Sequence, residues 1–319
     1  MTDFAIQTKR LSKTFGKGKK AVEAVIDLDL EVQAGQVFGF LGPNGAGKTT
    51  TIRLLMDLIR PTHGESFIFG EKAGTRGALQ HVGALVEGAD FYPFMTGWDN
   101  LAVLSRTAND YQPERIENLL TEVGLAEHAR KLVGEYSTGM KQRLGLAAAL
   151  LGDPDLLIFD EPTNGLDPAG IQEMRGFIRD LAERHGKTVF LSSHMLNEVE
   201  QVCDQVAIIN RGRVIEQGSV AQLLSGDSAY LRVQVDPFES AMDILRERWP
   251  VDRDATAAKE GGWVRVTANP EEGPAVIQTL VKAGIRVYQV IHQKRSLEEF
   301  FITVTNSDDD PLQNGDPND

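Results

Sequence analysis

One short segment of the chain has the residue types and spacing of a phosphate-binding loop. It fits the pattern G-x-x-x-x-G-K-[ST], in which glycines let successive backbone N–H groups converge on an anion. Lys48 supplies a positive charge to the β- and γ-phosphates, and the Thr49 hydroxyl can ligate Mg²⁺. The segment therefore predicts a nucleoside triphosphate site rather than a glycine-rich turn with an exposed lysine. Its residues, with Thr50 after them, are Gly42, Pro43, Asn44, Gly45, Ala46, Gly47, Lys48 and Thr49.

Two carboxylates follow a second apolar run. Residues 156–159 read Leu-Leu-Ile-Phe, and Asp160 and Glu161 come directly after them. Ligands of open parallel sheets bind beyond the carboxyl ends of the strands, so both side chains are predicted to face the phosphates. Asp160 is then the Mg²⁺ partner through the water shell of the ion. Glu161 is placed to orient or deprotonate an attacking water. A charged cap on a strand end is the alternative for such a pair.

The elements that must position these residues are read from the hydrophobic pattern. Residues 37–41 are a continuous apolar run typical of a strand buried on both faces, and residues 188–192, Thr-Val-Phe-Leu-Ser, are a further candidate for a buried strand. Ile52, Leu55, Met56 and Ile59 have helical spacing, which predicts a helix over 50–59 that Pro61 ends. Strands that alternate with helices indicate an α/β fold with a parallel sheet. Residues 206–215 are predicted to form a hairpin.

Beyond about residue 224 the pattern changes to that of a smaller unit. The order of the predicted strands and helices suits a split βαβ module of roughly ferredoxin-like type, which is a small α+β domain. The predicted elements are strands at 230–235, 263–266 and 286–291 and helices at 242–249 and 275–283. The predicted organisation is a nucleoside triphosphate-binding domain at 1–224 with a helical part at about 90–150, an accessory domain at 225–305, and a disordered acidic tail at 306–319.

Composition excludes several classes of protein. The 319 residues contain 46 Asp and Glu against 33 Lys and Arg, so a nucleic-acid partner is not expected. The single cysteine, Cys203, cannot form an internal disulfide and is expected to be a small buried hydrophobe. The N-terminal residues lack the apolar core of a signal peptide, and no apolar stretch approaches the ~20 residues that span a bilayer. These features predict a cytosolic protein.

Three further segments extend the phosphate-loop pattern. They read YSTGMKQR at 136–143, EPTNGLDP at 161–168 and SSH at 192–194. With the phosphate loop, they make residues 4–220 resemble the ATPase subunit of an ABC transporter: an ABC cassette with a mixed sheet, an N-terminal antiparallel part and a helical insertion. We name residues 136–143 the signature segment.

The resemblance implies a mechanism that involves two copies of the chain. Two cassettes pack head to tail, and each ATP lies between the phosphate loop of one and Ser137 and Gly139 of the other. His194 contacts the γ-phosphate, although a lone histidine is more often a satisfied structural one. Phe15 stacks on adenine, with packing in the core as its alternative. Asp167 contacts the opposite subunit, and Lys48, Glu161 and His194 are the catalytic residues.

This chain departs from the family pattern at two positions. Thr138 stands where glycine is commoner and is not expected to tolerate a positive φ. Glu87 stands where the family usually has a glutamine that ligates Mg²⁺. The same glutamate occurs in subunits resembling bacitracin-type and lantibiotic-immunity exporters. Residues 91–95, Phe-Tyr-Pro-Phe-Met, either line a groove for the permease or form an aromatic core cluster.

The main hypothesis is an ATP-hydrolysing subunit that drives a separate multi-spanning permease at the cytoplasmic face of the membrane. The substrate would be an exported drug, peptide antibiotic or similar compound, and ATP and Mg²⁺ are the implied cofactors. The alternatives are a soluble ABC ATPase of translation or DNA repair and a non-hydrolysing regulatory subunit. The accessory domain is read as a stabilising or dimer-clamping module, with ligand sensing as the alternative.

Overall fold

The computed structural model describes residues 3–86, 90–224, 230–253, 262–293 and 296–307. Glu87, a predicted metal ligand, and residues 308–319, most of the predicted acidic tail, lie outside these ranges. The contacts between residues divide the chain into two compact units, Met1–Val220 and Ala221–Asp319. Each unit is described by itself.

The first unit contains two sheets. One is antiparallel in the order β2-β1-β4-β5, and the other has the order β10-β9-β3-β8-β7-β6, parallel except for β10. Their strands are β1 (Phe4–Phe15), β2 (Val22–Gln33), β3 (Val37–Leu41), β4 (His63–Ile68), β5 (Glu71–Lys72), β6 (Val82–Leu85), β7 (Leu156–Asp160), β8 (Thr188–Ser193), β9 (Gln205–Asn210) and β10 (Arg213–Ser219).

Helices follow or connect the strands of the parallel sheet. Thr96 and Asp167 cap the third and sixth of them by accepting hydrogen bonds from the amides of Asp99 and Gly170. The helices are α1 (Lys48–Leu55), α2 (Arg76–Gln80), α3 (Gly97–Thr107), α4 (Pro113–Glu122), α5 (Thr138–Ala149), α6 (Pro168–Glu183) and α7 (Leu196–Val202). The short helix α8 (Val220–Leu224) begins at the last residue of this unit.

The central strands β3, β7 and β8 are buried along their whole length. Their apolar side chains pack into one core, in which the rings of Phe38 and Phe190 stack with centroids 5.8 Å apart. This confirms the predicted α/β fold and the strands at 37–41, 156–159 and 188–192. The hairpin at 206–215 is also confirmed, with its turn at Arg211 and Gly212, both at positive φ.

The first helix is shorter than predicted. It ends at Leu55 instead of continuing to residue 59, because Asp57 has a left-handed backbone with φ +53°. The amides of Leu58 and Ile59 both donate to the Arg53 carbonyl, at 2.9 and 3.3 Å. Ile59 still packs against the core from this turn. The helical spacing of the apolar residues was therefore produced by a helix and a following turn together.

The second unit is a split βαβ module, as predicted. Its sheet is antiparallel in the order β12-β13-β11-β14, and α9 and α10 share the core formed by alternate residues of β11 and β13. The strand β12 and the helix α11 were not predicted. The elements are β11 (Tyr230–Asp236), α9 (Phe238–Arg246), β12 (Val251–Arg253), β13 (Trp263–Thr267), α10 (Gly273–Lys282), β14 (Arg286–Gln293) and α11 (Leu297–Ser307).

Within the residues described, no helix combines the length and apolar character that crossing a membrane requires.

The strand β3 has room for glycine alone where α7 crosses it. A Cβ on Gly39 would lie 2.7 Å from Val199 Cγ1 and 3.0 Å from Cys203 Sγ. Cys203 is buried, as predicted, and its burial raises the pKa of the thiol, with the nearby Asp204 carboxylate acting in the same direction. The cysteine therefore stays protonated and acts as a packing residue.

We expect Gly39→Ala to destabilise the protein by about 1–3 kcal/mol, because the added methyl overpacks this contact. Gly176 in α6 is the matched control, since a Cβ there meets no atom within 4 Å. Gly176→Ala should stabilise the protein by about 0.5–1 kcal/mol, because alanine lowers the backbone entropy of the unfolded chain. Urea unfolding of both variants followed by circular dichroism measures the two shifts, and equal shifts would contradict the packing argument.

Candidate functional site

The predicted phosphate loop joins the end of β3 to the start of α1. Gly45 and Gly47 have φ of +82° and +113°, and a Cβ on Gly47 would lie 2.4 Å from the Ala24 carbonyl oxygen. Thr51 N donates to the Gly47 carbonyl and starts the helical ladder. The amides of Lys48, Thr49 and Thr50 precede this bond, so they have no acceptor within the helix. The loop therefore presents backbone donors and the positive end of a helix to an anion.

Lys48 is held inside this loop. Its side chain is 6% exposed, and its Nζ donates to the Gly42 carbonyl at 2.7 Å and lies 3.2 Å from Glu161 Oε1. Ala46 is buried, and its amide donates to the Pro43 carbonyl, which closes the loop. The phosphate cavity, of about 270 Å³, is lined by Ala24, Asn44, Gly45, Gly47, Lys48, Thr49, Thr50 and Glu161. The loop and the acidic end of β7 therefore share one cavity.

The two candidate Mg²⁺ ligands of the described chain lie in contact. Thr49 Oγ1 donates to Asp160 Oδ2 at 2.8 Å, and Asp160 is buried. A hydroxyl and one carboxylate are hard oxygen ligands that fit Mg²⁺, which takes its remaining ligands from phosphate oxygens and water. The described residues contain no cluster of three or more His, Cys, Asp or Glu that could hold a metal ion.

Glu161 connects the loop to His194. Its Oε1 faces Lys48, and its Oε2 lies 2.8 Å from His194 Nδ1. The residue has φ +51°, a left-handed backbone that is unfavourable for a glutamate by about 1–3 kcal/mol. Its amide lies 3.1 Å from Ser192 Oγ and 3.3 Å from the Ser192 carbonyl. The surrounding structure therefore imposes an unusual backbone on the residue predicted to activate water.

The signature segment begins α5. Ser137 is the N-cap, and its Oγ accepts a hydrogen bond from Met140 N at 3.2 Å. Thr138 is the first helical residue and has no positive φ, so the glycine that is commoner there is not required for this backbone. Gly139 follows it in the first turn, where the amides lack helical acceptors.

A second cavity, the signature cavity, lies beside this helix. It has a volume of about 780 Å³ and is lined in part by Ser137, Gly139 and Asp167. Asp167 is exposed, and its Oδ1 accepts a hydrogen bond from Gly170 N at 2.9 Å. The signature cavity shares no lining residue with the phosphate cavity. The structure therefore brings the loop, Asp160, Glu161 and His194 together, but places Ser137, Gly139 and Asp167 on another cavity of the same chain.

Two aromatic sites are exposed rather than packed in the core. Phe15 is 42% exposed, with Lys13 Nζ 5.1 Å from its ring centroid, so the core alternative is wrong and stacking on adenine stays a prediction. Tyr92 and Phe94 are 52% and 70% exposed, with ring centroids 5.8 Å apart. The alternative of an aromatic core cluster at 91–95 is wrong for these two side chains.

Sequence reasoning missed two polar residues behind the site. Ser192 Oγ donates to Asp160 Oδ1, and Gln142 Nε2 donates to the Pro162 carbonyl at 2.6 Å. The signal for Ser192 was a hydroxyl at the end of a predicted buried strand, but its partner depends on the register between β7 and β8. Gln142 carried no signal, because a polar residue in the first turns of a helix is ordinary.

Comparisons with known proteins identify the family and the fold of the chain. Residues 25–164 match the family model described as "ABC transporter". Two solved structures share the fold. The chain aligns with the ATP-binding cassette MJ0796, a dimer in a post-hydrolysis state bound to ADP and Pi, at TM-score 0.61 and 23% identity, covering 67% of this chain and 98% of that one. It aligns with an ATP-binding subunit of an ABC transporter at TM-score 0.60 and 28% identity, covering 69% and 91%.

Curated relatives extend the match to nearly the whole chain. Bacitracin transport ATP-binding protein BcrA of Bacillus licheniformis is 39% identical over 93% of this chain and 96% of that protein. Daunorubicin/doxorubicin resistance ATP-binding protein DrrA of Streptomyces peucetius is 33% identical over 94% of this chain and 92% of that protein. The chain therefore belongs to the ABC transporter family, among its ATP-binding proteins.

Proposed function

We propose that this chain hydrolyses ATP to drive a separate membrane permease that exports a drug, a peptide antibiotic or a similar compound. The observation that carries the proposal is the convergence of Lys48, Thr49 and Glu161 on the phosphate cavity, with Asp160 hydrogen-bonded to Thr49. The names of the relatives, which concern bacitracin transport and drug resistance, support the exported class. They also favour transport over the alternatives in translation or DNA repair.

The proposed reaction begins with the phosphates in the loop. The amides at the start of α1 and the Lys48 ammonium bind the β- and γ-phosphate oxygens, which compete with Glu161 for Lys48. Thr49 and Asp160 would hold Mg²⁺, which when bound neutralises phosphate charge and fixes its orientation. Glu161 accepts a proton from the attacking water as the new P–O bond forms and the bond to ADP breaks. His194 Nδ1 holds the Glu161 carboxylate toward the γ-phosphate.

A second copy of the chain is proposed to complete the site. Ser137, Gly139 and Asp167 line the signature cavity, which is distinct from the phosphate cavity of their own chain. The amides at the start of α5 form a further anion-binding group that a γ-phosphate could reach from a partner chain. The dimeric state of the solved cassette that shares this fold supports the arrangement.

The permease is proposed to dock on Tyr92 and Phe94. Both rings are exposed and lie against each other, and a pair of exposed aromatic rings is a candidate contact surface for another protein. Glu87, which precedes this patch in the sequence, is proposed as a further Mg²⁺ ligand. Phe15 is proposed as the platform for adenine.

Glu161→Gln should reduce the rate of ATP turnover by about 10²- to 10⁴-fold, because the amide cannot accept the proton of the attacking water. Nucleotide binding should persist, since the loop is unchanged. Lys48→Ala is the contrasting variant and should weaken the binding itself. Phosphate release and the affinity for a fluorescent ATP analogue measure the two effects. Unchanged turnover in Glu161→Gln would favour the non-hydrolysing regulatory subunit.

Phe94→Ser should reduce the amount of permease that copurifies with the chain and the stimulation of ATPase activity by that permease. The ATPase rate of the chain without the permease should stay within about threefold of wild type, because Phe94 lines neither cavity. Tyr288→Ser is the matched control, since Tyr288 is a 59% exposed aromatic of the second unit. Equal permease recovery for the two variants would rule out this docking surface.

A further inference from the structure

Ser192 lies at the point where the two acidic residues of the site meet the next strand. It pairs with Asp160 in the parallel register of β7 and β8 and is fully buried. Its Oγ donates to Asp160 Oδ1 at 2.5 Å and accepts from Glu161 N at 3.1 Å. A hydroxyl can do both at once, because it carries one donor hydrogen and two acceptor lone pairs.

The bond to Asp160 restricts the orientation of the carboxylate. Thr49 donates to Oδ2 and Ser192 donates to Oδ1, so each oxygen has its own donor. Thr49 is itself a proposed Mg²⁺ ligand, and its oxygen can bind the ion through a lone pair while its hydrogen still donates to Asp160 Oδ2. The Ser192 bond adds a second donor at Oδ1, and two donors on the two oxygens fix the plane of the Asp160 carboxylate, which one donor alone leaves free to rotate.

The bond to Glu161 matters less. The Glu161 amide also lies 3.3 Å from the Ser192 carbonyl oxygen, and this backbone contact remains when the hydroxyl is removed. Asp160 Oδ1 has no such substitute in its surroundings, since its only hydrogen bond among the described residues is the one to Ser192. Removal of the Ser192 hydroxyl should therefore change the orientation of the Asp160 carboxylate more than the position of Glu161.

We propose that Ser192 is a positioning residue that orients the Asp160 carboxylate toward Mg²⁺ and secondarily supports the left-handed backbone of Glu161. The inference rests on the proposed ATP hydrolysis. It assigns to Ser192 control of the Mg²⁺ requirement rather than of the affinity for the nucleotide, because Ser192 does not line the phosphate cavity.

The test is a Mg²⁺ titration of the ATPase rate at fixed ATP for Ser192→Ala and Ser192→Thr. The alanine variant should need about 10- to 100-fold more Mg²⁺ for half-maximal rate, as is usual for the loss of an outer partner of a metal ligand. Its rate at saturating Mg²⁺ should recover most of the wild-type value. The threonine variant keeps the hydroxyl in a strand and should titrate close to wild type.

Ser193→Ala is the matched control, since Ser193 is a buried neighbour whose Oγ accepts from Met195 N at 2.9 Å and contacts neither carboxylate. Its Mg²⁺ midpoint should equal that of wild type. Affinity for a fluorescent ATP analogue in EDTA should be the same in all variants, which also shows that each variant is folded. An unchanged midpoint in Ser192→Ala, or an equal shift in Ser193→Ala, would overturn the proposal.

Failure of the proposed hydrolysis is recognised separately, because wild type would then release no phosphate at any Mg²⁺ concentration. The enhancement of analogue binding by Mg²⁺ over EDTA then serves as the readout. It should be weakened in Ser192→Ala and retained in Ser192→Thr, and equal enhancement in the two would overturn the assignment of Ser192.

Discussion

The register of the parallel strands β3, β8 and β7 is the constraint on which the site depends. Leu41 pairs with Ser193, and Ser192 pairs with Asp160, so three chain segments leave the sheet at the same edge. A slip of one residue would turn Asp160 and Ser192 to the opposite face of the sheet. The stacking of Phe38 on Phe190 in the core opposes such a slip. Packing that never touches the ligand therefore sets distances of 2.5 to 3.2 Å within the site.

The polar contacts of the site form a chain from Lys48 through Glu161 to His194. A buried ammonium without a partner would be strongly unfavourable, and Glu161 supplies that partner together with the Gly42 carbonyl. Phosphate oxygens carry more negative charge than one carboxylate and so compete for Lys48. Nucleotide binding would then release Glu161 from Lys48 to act on water, while the contact with His194 would keep the Glu161 carboxylate oriented. One side chain would thus serve first as a counter-ion and then as a base.

Local patterns predicted the parts of the site that depend on contiguous residues. The loop at 42–49 and the pair Asp160–Glu161 are recognisable because each needs a fixed spacing next to a buried strand. The left-handed backbone of Glu161 and the hydrogen bond between Ser192 and Asp160 were not predictable. Both depend on contacts between β7 and β8, which lie about 30 residues apart in the sequence. The short strand β12 has three residues, too few for a period to show. The end of α1 depended on Asp57, a residue whose left-handed conformation composition does not reveal.

The separation of the two cavities would make the proposed chemistry depend on the association of two chains. Each chain carries one phosphate cavity and one signature cavity with no lining residue in common. In the proposed symmetric pair, each signature segment would face the phosphate loop of the other chain, and the donors of α5 would reach a γ-phosphate that they would not reach in a single chain. Charge stabilisation of the transferring phosphoryl group would then be complete only in the closed pair.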